Sequence, residues 1–488
     1  MPDDRSPAQA APPLSRRLLL AGAAALTLCP WAHAEDDAAE GQEAPERPAG
    51  RAPPVPPAGA APYVPQLSAR AGSGLVRARQ TLSSPADPAR PFVIWALGSS
   101  YTNGLGFGRH ALEALRARWP QAPPLVWRQT IGNAVPWQFL RGWAEGEVIP
   151  ANPDVVLIYT IGKPRDLEDL LLQLRARTSA ELIVPTVHWR QSDAALWGSS
   201  EDAPDQKVAE LRELCATHGA ELLEHRAEWA RYLRENNLGL DALLRDKVHQ
   251  SPYGAWMLQA LLAATLSMPP AGVAEPKLEV SAIDRVLHPG ETLELRATGG
   301  RFDLGLAPGE GRLAVKVDGK AADAHPCFVQ GPVVRGANNA AQVGVPARDV
   351  GPHGLRLATA DRLSDQRWTL RMTDDTGGYA IEGSRSGPQG QGRNTADLSS
   401  ADGQVTVPAG WWRRPGFNRT GDTYTIDVQR GVVSEVDAVV DRTRPRHSPR
   451  YLEHRLAIGL EPGPHRIELR ALGAPVTLRK LYASRVQA

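Results

Sequence analysis

Cysteine, methionine and aromatic residues are scarce here: 3 Cys, 4 Met and 6% Phe, Trp and Tyr in 488 positions. So few cysteines exclude a disulfide framework. The fold must rest on its apolar cores, and the length supplies material for more than one. Net charge is nearly absent as well, since 55 Lys and Arg against 54 Asp and Glu leave +1. That balance removes the electrostatic case for nucleic acid or an acidic membrane surface as the main partner. Arginine far outnumbers lysine, a compositional bias that carries no functional reading of its own. Beyond residue 34 no apolar run is long enough to span a bilayer, so stable membrane insertion is not expected. No cluster of His, Cys, Asp and Glu has the spacing of a metal site, and no Gly-rich phosphate loop with its lysine follows a strand. No cofactor and no metal are therefore expected.

What is present begins with a leader. Ser15-Arg16-Arg17 precedes an apolar run from Leu18 to Leu28 and then Ala32-His33-Ala34, a small-residue cleavage pattern. Residues 1–34 are expected to be a signal peptide of the twin-arginine type, cut after Ala34, which places the mature protein in a bacterial periplasm or outside the cell. A lipid anchor on Cys29 is disfavoured by Leu28, which stands where a small residue is needed. After cleavage Cys215 and Cys327 remain, expected as two buried thiols in different domains, with one bridge between domains as the alternative. Residues 35–90 are rich in Pro, Ala and Gly and lack periodicity, the composition of a linker. From Tyr63 onward part of this stretch is expected to pack on the folded body.

From 91 to 270, short apolar runs alternate with amphipathic stretches. Val93–Leu97, Val126–Thr130, Val155–Thr160, Leu182–Val187 and Glu221–Leu223 have the length and β-branched content of buried strands. His110–Trp119, Asp166–Arg177, Gln206–Thr217, Ala227–Asn236 and Tyr253–Leu266 carry apolar residues at helical spacing. Such alternation predicts an α/β domain, a parallel sheet covered by helices on both faces, with ligands at the carboxyl ends of its strands. Across 271–488 the helical period disappears. Thr292–Ala297, Arg312–Val317, Gln404–Val407, Tyr424–Val428, Arg455–Ile458 and Arg466–Ala471 are β-rich and punctuated by turn residues. They predict an all-β, sandwich-like accessory region, either one domain or two small ones divided at Gly383–Gly403.

The first strand runs into Gly98-Ser99-Ser100-Tyr101-Thr102-Asn103-Gly104. A serine on a Gly-flanked turn at a strand's carboxyl end faces reactants, and adjacent backbone N–H groups can receive an oxyanion; the competing reading is a Ser-rich helix cap. Far downstream stands Asp246-Lys247-Val248-His249. An Asp three residues before a His can accept the imidazole Nδ1–H and leave Nε2 free to deprotonate a serine. A serine hydroxyl needs such a base to become a useful nucleophile.

Together these blocks resemble the SGNH/GDSL hydrolase family over roughly Phe92 to Ser267. The resemblance implies a flavodoxin-like three-layer α/β/α domain with Ser100 as nucleophile, His249 as base and Asp246 as its orienting acid. It also implies an oxyanion hole built from the serine N–H, a glycine N–H and an asparagine side chain. Gly132 and Asn133, after the second strand, are the candidates for the last two. The Asp usual before the nucleophile is Ser99, and Gly162-Lys163-Pro164-Arg165 stands where the family carries an asparagine. Three readings of the hole remain open: Asn133 takes the asparagine's role, Lys163 or Arg165 does so as a cation, or backbone donors act alone.

His188 and Trp189, just past the fourth strand, are candidates to line the substrate pocket, with packing residues as the alternative. His110, His218 and His225 fall on predicted helices and are read as structural. In the β-rich region, Trp411 and Trp412, if they occupy a strand, would point to opposite faces; the outward ring could stack on a sugar, but is read first as part of a domain interface or a well-packed surface. The basic stretch Arg442–His447 is read as a solvated loop, with contact to an anionic polymer as the alternative. The function expected is an exported serine esterase acting on an acylated carbohydrate, with O-acetyl as the acyl group, or on another ester. A carbohydrate O-acyltransferase, a lipase or arylesterase of the same family, and a non-catalytic glycan-binding protein are the alternatives.

Overall fold

The computed structural model describes residues 53–132, 134–197, 206–269, 277–333, 350–359 and 362–486. Residues 1–34, expected as a leader with its cleavage site and Cys29, and Asn133 lie outside the described residues. The apolar runs form β1 (Phe92–Gly98), β2 (Leu125–Ile131), β3 (Val155–Tyr159), β4 (Glu181–Pro185) and β5 (Glu221–Leu223). These pair in parallel in the order β2-β1-β3-β4-β5. Side chains alternate across a strand, so Phe92, Ile94 and Ala96 enter one core while Val93, Trp95 and Leu97 enter another. Burial on both faces is why β1 and β3 are apolar throughout.

The covers are, in chain order, α1 (Val76–Ser83), α2 (Ser100–Asn103), α3 (Arg109–Arg118), α4 (Trp137–Trp143), α5 (Ile149–Ala151), α6 (Pro164–Arg177), α7 (Ala194–Trp197), α8 (Gln206–Thr217), α9 (His225–Glu235) and α10 (Pro252–Leu266). Residues of α1, α3 and α10 pack in the first core, and residues of α4, α6 and α8 in the second. β4 stops at Pro185 rather than Val187, at the residue that pairs with Leu223, the last of β5. In this strand order the chain winds outward in opposite directions from β1 and β3, which opens a crevice at their carboxyl ends.

The segment before β1 is less of a tether than its composition suggests. Leu75, Ala78 and Leu82 are buried at helical spacing, which makes α1 part of the first core. Tyr63, also buried, donates from its hydroxyl to Glu228 Oε2 at 2.7 Å and from its backbone N–H to the Tyr253 hydroxyl at 2.7 Å. The linker as described here therefore gives way, by Tyr63, to chain that is packed on the α/β domain.

The C-terminal region holds two β cores. A six-stranded antiparallel sheet is built from β6 (Leu278–Leu287), β7 (Thr292–Leu306), β8 (Arg312–Val317), β17 (Glu435–Asp437), β18 (Leu452–Leu472) and β19 (Val476–Ser484). Between β8 and β17 the chain makes β9 (Cys327–Val333), β10 (Arg356–Leu357), β11 (Gln366–Met372), β12 (Gly378–Gly383), β13 (Gly387–Arg393), β14 (Leu398–Ser399), β15 (Val405–Val407) and β16 (Thr423–Arg430). These form a five-stranded and a three-stranded sheet across a shared core that includes Trp368, Tyr424 and Val407. The second unit is thus an insertion into the first. Gly383–Gly403 does not separate two units, since β13, inside it, pairs with β12 just before it, and β14, also inside it, pairs with β15 just after it.

Trp411 and Trp412 lie at a short 3-10 turn rather than in a strand, and the packing reading fits them: Trp412 is buried in the inserted core, and half-buried Trp411 stacks on His353 at 4.9 Å. In the stretch Arg442–His447, Arg442, Thr443 and Arg444 are exposed as expected, but Arg446 corrects the solvated-loop reading. It is 3% exposed and pairs with Asp154 at 3.0 Å and Glu453 at 3.1 Å, while Arg90 pairs with Asp154 at 2.9 Å and Glu453 at 2.6 Å. This square of charges fastens β18 under the amino ends of β1 and β3. Cys215 and Cys327 are both free, one in the second α/β core and the other against the inserted β core.

Candidate active site

Gly98 ends β1 where no other residue fits: a Cβ there would lie 2.2 Å from both the Tyr159 carbonyl oxygen and Thr102 Oγ1. Thr102 Oγ1 donates to the Tyr159 carbonyl at 2.7 Å, which ties the serine turn to the end of β3. Ser99, in extended conformation, caps α2, its Oγ accepting from the Tyr101 N–H at 3.5 Å. An Asp at this position is therefore not needed for a cap. Ser100 follows as the first residue of α2, at the carboxyl edge of the sheet.

The second block closes on itself before it reaches the serine. Arg245 N–H donates to the His249 carbonyl at 2.9 Å, and Ser251 N–H to the Leu243 carbonyl at 2.8 Å. Ser251 Oγ then caps α10 by accepting from the Gly254 N–H at 3.2 Å, with Pro252 at the first helical position. Inside this turn Asp246 Oδ1 accepts from the N–H groups of Val248 and His249, each at 2.8 Å. Both carboxylate oxygens also face His249 Nδ1, at 3.0 and 2.9 Å. Partial burial opposes ionisation of Asp246, but the two backbone donors and the imidazole outweigh it and hold the carboxyl down at about 2. A carboxylate can only accept, so Nδ1 carries the proton and Nε2 is left as the acceptor. His249 Nε2 lies 3.0 Å from Ser100 Oγ, across 149 residues of sequence. The structure thus brings Ser100, His249 and Asp246 into one hydrogen-bonded line.

His188 is elsewhere than the pocket wall. It is 0% exposed, with Nδ1 2.7 Å from the Tyr159 hydroxyl and Nε2 2.8 Å from the Val248 carbonyl. Burial drives its imidazole down to about 3, so it stays neutral. Trp189 donates from Nε1 to the Arg226 carbonyl at 3.0 Å, and the Arg226 guanidinium lies over its ring at 3.6 Å. Both residues are engaged within the protein, His188 because a core imidazole must satisfy two nitrogens and Trp189 because its ring packs under Arg226. His225, too, is fully buried beside Tyr159 and Trp229.

Of the expected oxyanion donors, Gly132 has its N–H engaged: it donates to the Gly98 carbonyl at 3.1 Å and extends the β1–β2 pairing. Asn133 lies outside the described residues. Lys163 and Arg165 are exposed at the start of α6. Sequence reasoning missed Tyr101, Tyr159 and Gln250, which stand immediately behind the triad. Tyr101 packs edge-on against His249 at 6.1 Å and His188 at 4.9 Å, and Gln250 Nε2 donates to the Tyr159 hydroxyl at 3.1 Å. Their adjacency to Ser100 and His249 in sequence was the available signal for Tyr101 and Gln250; Tyr159 had none beyond its place at a strand end. Among the described residues no group of three or more His, Cys, Asp or Glu is arranged to hold a metal ion, and no helix is long and apolar enough to cross a membrane.

No family model matches the chain, and no curated protein matches it in sequence. Solved structures do. The chain is similar to a two-domain esterase (CEX) active on acetylated mannans, at 11% identity over 86% of this chain and 96% of that one, with a TM-score of 0.31. It is similar to Axe2, an acetylxylan esterase from Geobacillus stearothermophilus, at 18% identity over 36% of this chain and 94% of that one, with a TM-score of 0.30. A GDSL-like lipase from Parabacteroides merdae is matched at 16% identity over 36% of this chain and 95% of that one, with a TM-score of 0.30.

Proposed function

We propose that the chain is an exported serine esterase of the SGNH type that removes acyl groups, O-acetyl above all, from a carbohydrate. The observation that carries the chemistry is the line Asp246–His249–Ser100, with Nε2 at 3.0 Å from Oγ. In the proposed reaction His249 takes the Ser100 proton as Oγ adds to the acyl carbonyl. The imidazolium, held beside the Asp246 carboxylate, then gives that proton to the departing sugar oxygen, which leaves an acyl-serine. Water, deprotonated by the same imidazole, adds to the acyl carbonyl, and the imidazolium returns the proton to Ser100 Oγ as the C–Oγ bond breaks and the carboxylic acid leaves.

Ser100 N–H, at the first position of α2, meets no acceptor among the described residues and is the proposed backbone donor to the oxyanion. Asn133 is proposed as its side-chain partner, with Gly132 set aside because of its bond to Gly98. Loss of one such donor costs about 10²–10³ in rate, so Asn133→Ala tests the assignment directly. Hydrolysis is favoured over acyl transfer because the site is open: the Asp246 side chain is 45% exposed and that of His249 24%, so water reaches the acyl-serine. The carbohydrate half of the proposal follows the family resemblance, in which β-rich units accompany domains that act on polysaccharides. Export rests on the leader at 1–34, and the N-terminus of secreted protein should be Glu35.

A fluorophosphonate serine probe is expected to label the wild type and not Ser100→Ala, and acetylated glycans to lose acetate only with the wild type. Faster turnover of long-chain esters would instead identify a lipase, and acetyl recovered on an added glycan acceptor a transferase. Absence of labelling with glycan binding retained would identify a binding protein.

A further inference from the structure

The residues on either side of His249 are each held from behind, by two buried side chains that bond each other. The Val248 carbonyl accepts from His188 Nε2 at 2.8 Å, and the Gln250 side chain donates to the Tyr159 hydroxyl at 3.1 Å. The proton directions have a single solution. A carbonyl only accepts, so Nε2 of His188 carries the hydrogen and Nδ1, in a neutral ring, is an acceptor. The Tyr159 hydroxyl therefore donates to His188 Nδ1, at 2.7 Å, and is left to accept from Gln250 Nε2. The same Gln250 amide donates to the Tyr101 carbonyl at 3.4 Å, one residue past the nucleophile. One continuous chain thus runs from the serine turn through Gln250, Tyr159 and His188 to the histidine loop.

Every member is out of water: Tyr159 and His188 are 0% exposed and Gln250 4%. Burial holds His188 neutral, down at about 3, and raises the Tyr159 hydroxyl well above its usual range, so the pattern does not change with pH in any working range. Among the described residues neither the Tyr159 nor the His188 side chain hydrogen-bonds Ser100, and both, being buried, would not meet substrate in the proposed reaction. Their chain instead fixes the separation of two loops that come from opposite ends of the α/β domain.

We propose that Tyr159, His188 and Gln250 are positioning residues that set the Ser100–His249 alignment, Tyr159 being the hinge of the chain because its one oxygen both donates and accepts. The inference rests on the serine-esterase reading. Tyr159→Phe deletes that oxygen with no change of shape, leaving His188 Nδ1 without its partner and Gln250 Nε2 with the Tyr101 carbonyl alone. Because small misplacements of reacting groups cost up to about 10² in rate, kcat per titrated active site is expected to fall about tenfold or more with KM within about twofold. Titration with the fluorophosphonate probe removes any contribution from unfolded protein, which a merely structural role would produce. His188→Leu is expected to behave likewise, and His188→Gln, whose amide can still donate to Val248, to recover part of the loss. If Tyr159→Phe keeps wild-type kcat per site while Ser100→Ala is dead, the positioning role is overturned and the esterase reading stands. If Ser100→Ala retains activity, the esterase reading itself fails. Tyr159→Phe carries the test alone should His188→Leu not fold.

Discussion

At the scale of single residues, the site depends on which atoms are already engaged. Asp246 is the clearest case, since three N–H groups converge on a carboxylate that is only partly buried. Its folded value of about 2 lies below the ordinary 3.8, so its interactions contribute fully above about pH 4 and are lost as pH falls through about 2. Loss of activity at milder pH is therefore not due to protonation of Asp246. Asp246→Asn should lower kcat by about 10²–10⁴ with little change in KM, because a neutral amide can neither fix the tautomer nor stabilise the imidazolium. Steady-state kinetics on an acetyl ester measure this. Gly132 illustrates the reverse: a glycine in the expected place, whose N–H is already used by the sheet.

Among secondary elements, the junction of β1 and α2 is the most constrained. Gly98 brings its backbone against the Tyr159 carbonyl so closely that a methyl group has no room. In Gly98→Ala either β1 and β3 separate at their carboxyl ends or the Ser100 turn rotates, and each displaces Oγ from His249. The expected outcome is a destabilisation of about 1–3 kcal/mol, typical of overpacking, together with a loss of kcat larger than the loss of folded protein. Thermal melts and active-site titration on the same sample separate the two effects. The α10 cap is a milder constraint: losing a serine cap of this kind costs about 1 kcal/mol and leaves the triad's own bonds in place.

For the molecule as a whole, the six-stranded sheet is attached at the amino ends of the parallel strands, while the triad stands at their carboxyl ends. The charge square of Arg90, Asp154, Arg446 and Glu453 makes that attachment, and Ile458 of β18 enters the second α/β core beside it. Removing one member of a buried pair leaves an uncompensated charge, so Arg446→Met should destabilise by about 3–5 kcal/mol. Activity per folded molecule is expected to be unchanged, because the substitution lies across the sheet from Ser100. Burial of Asp154 opposes ionisation, but the Arg446 and Arg90 guanidiniums overcome it and hold the group at about 2, below 3.8. Its stabilising share is thus present above about pH 4 and lost as pH falls through about 2. Melts between pH 7 and pH 2 should show that loss in the wild type and a smaller one in Asp154→Asn.

The inserted β unit meets the α/β domain differently, on α4: a Cβ on Gly142 would lie 1.7 Å from the His353 carbonyl, and the Arg413 guanidinium stacks over Trp143 at 4.9 Å. Composition gave no hint of this geometry, because Gly383–Gly403 looks like a linker although it holds β13 and β14, each paired with a strand outside it. Glycine-rich strands such as β13 lose the side-chain pattern by which strands are recognised.

Much was determined by the sequence alone. Strands buried on both faces must be apolar throughout, and helices that cover them must be amphipathic, so β1 to β5 and the longer helices were legible within a residue or two. Ser100, Asp246 and His249 were legible because turn chemistry puts a serine after Gly98 and an Asp three residues before a His. Local pattern says nothing, however, about what faces a residue from a distant part of the chain. Only the tertiary structure turned His188 from a pocket residue into a buried link between Tyr159 and Val248, engaged the Gly132 N–H in the sheet, buried Arg446 in an interface and drew α1 into the core. In each case the deciding partner lies far away in sequence, and a buried polar group's need for that partner is satisfied only when the chain has folded.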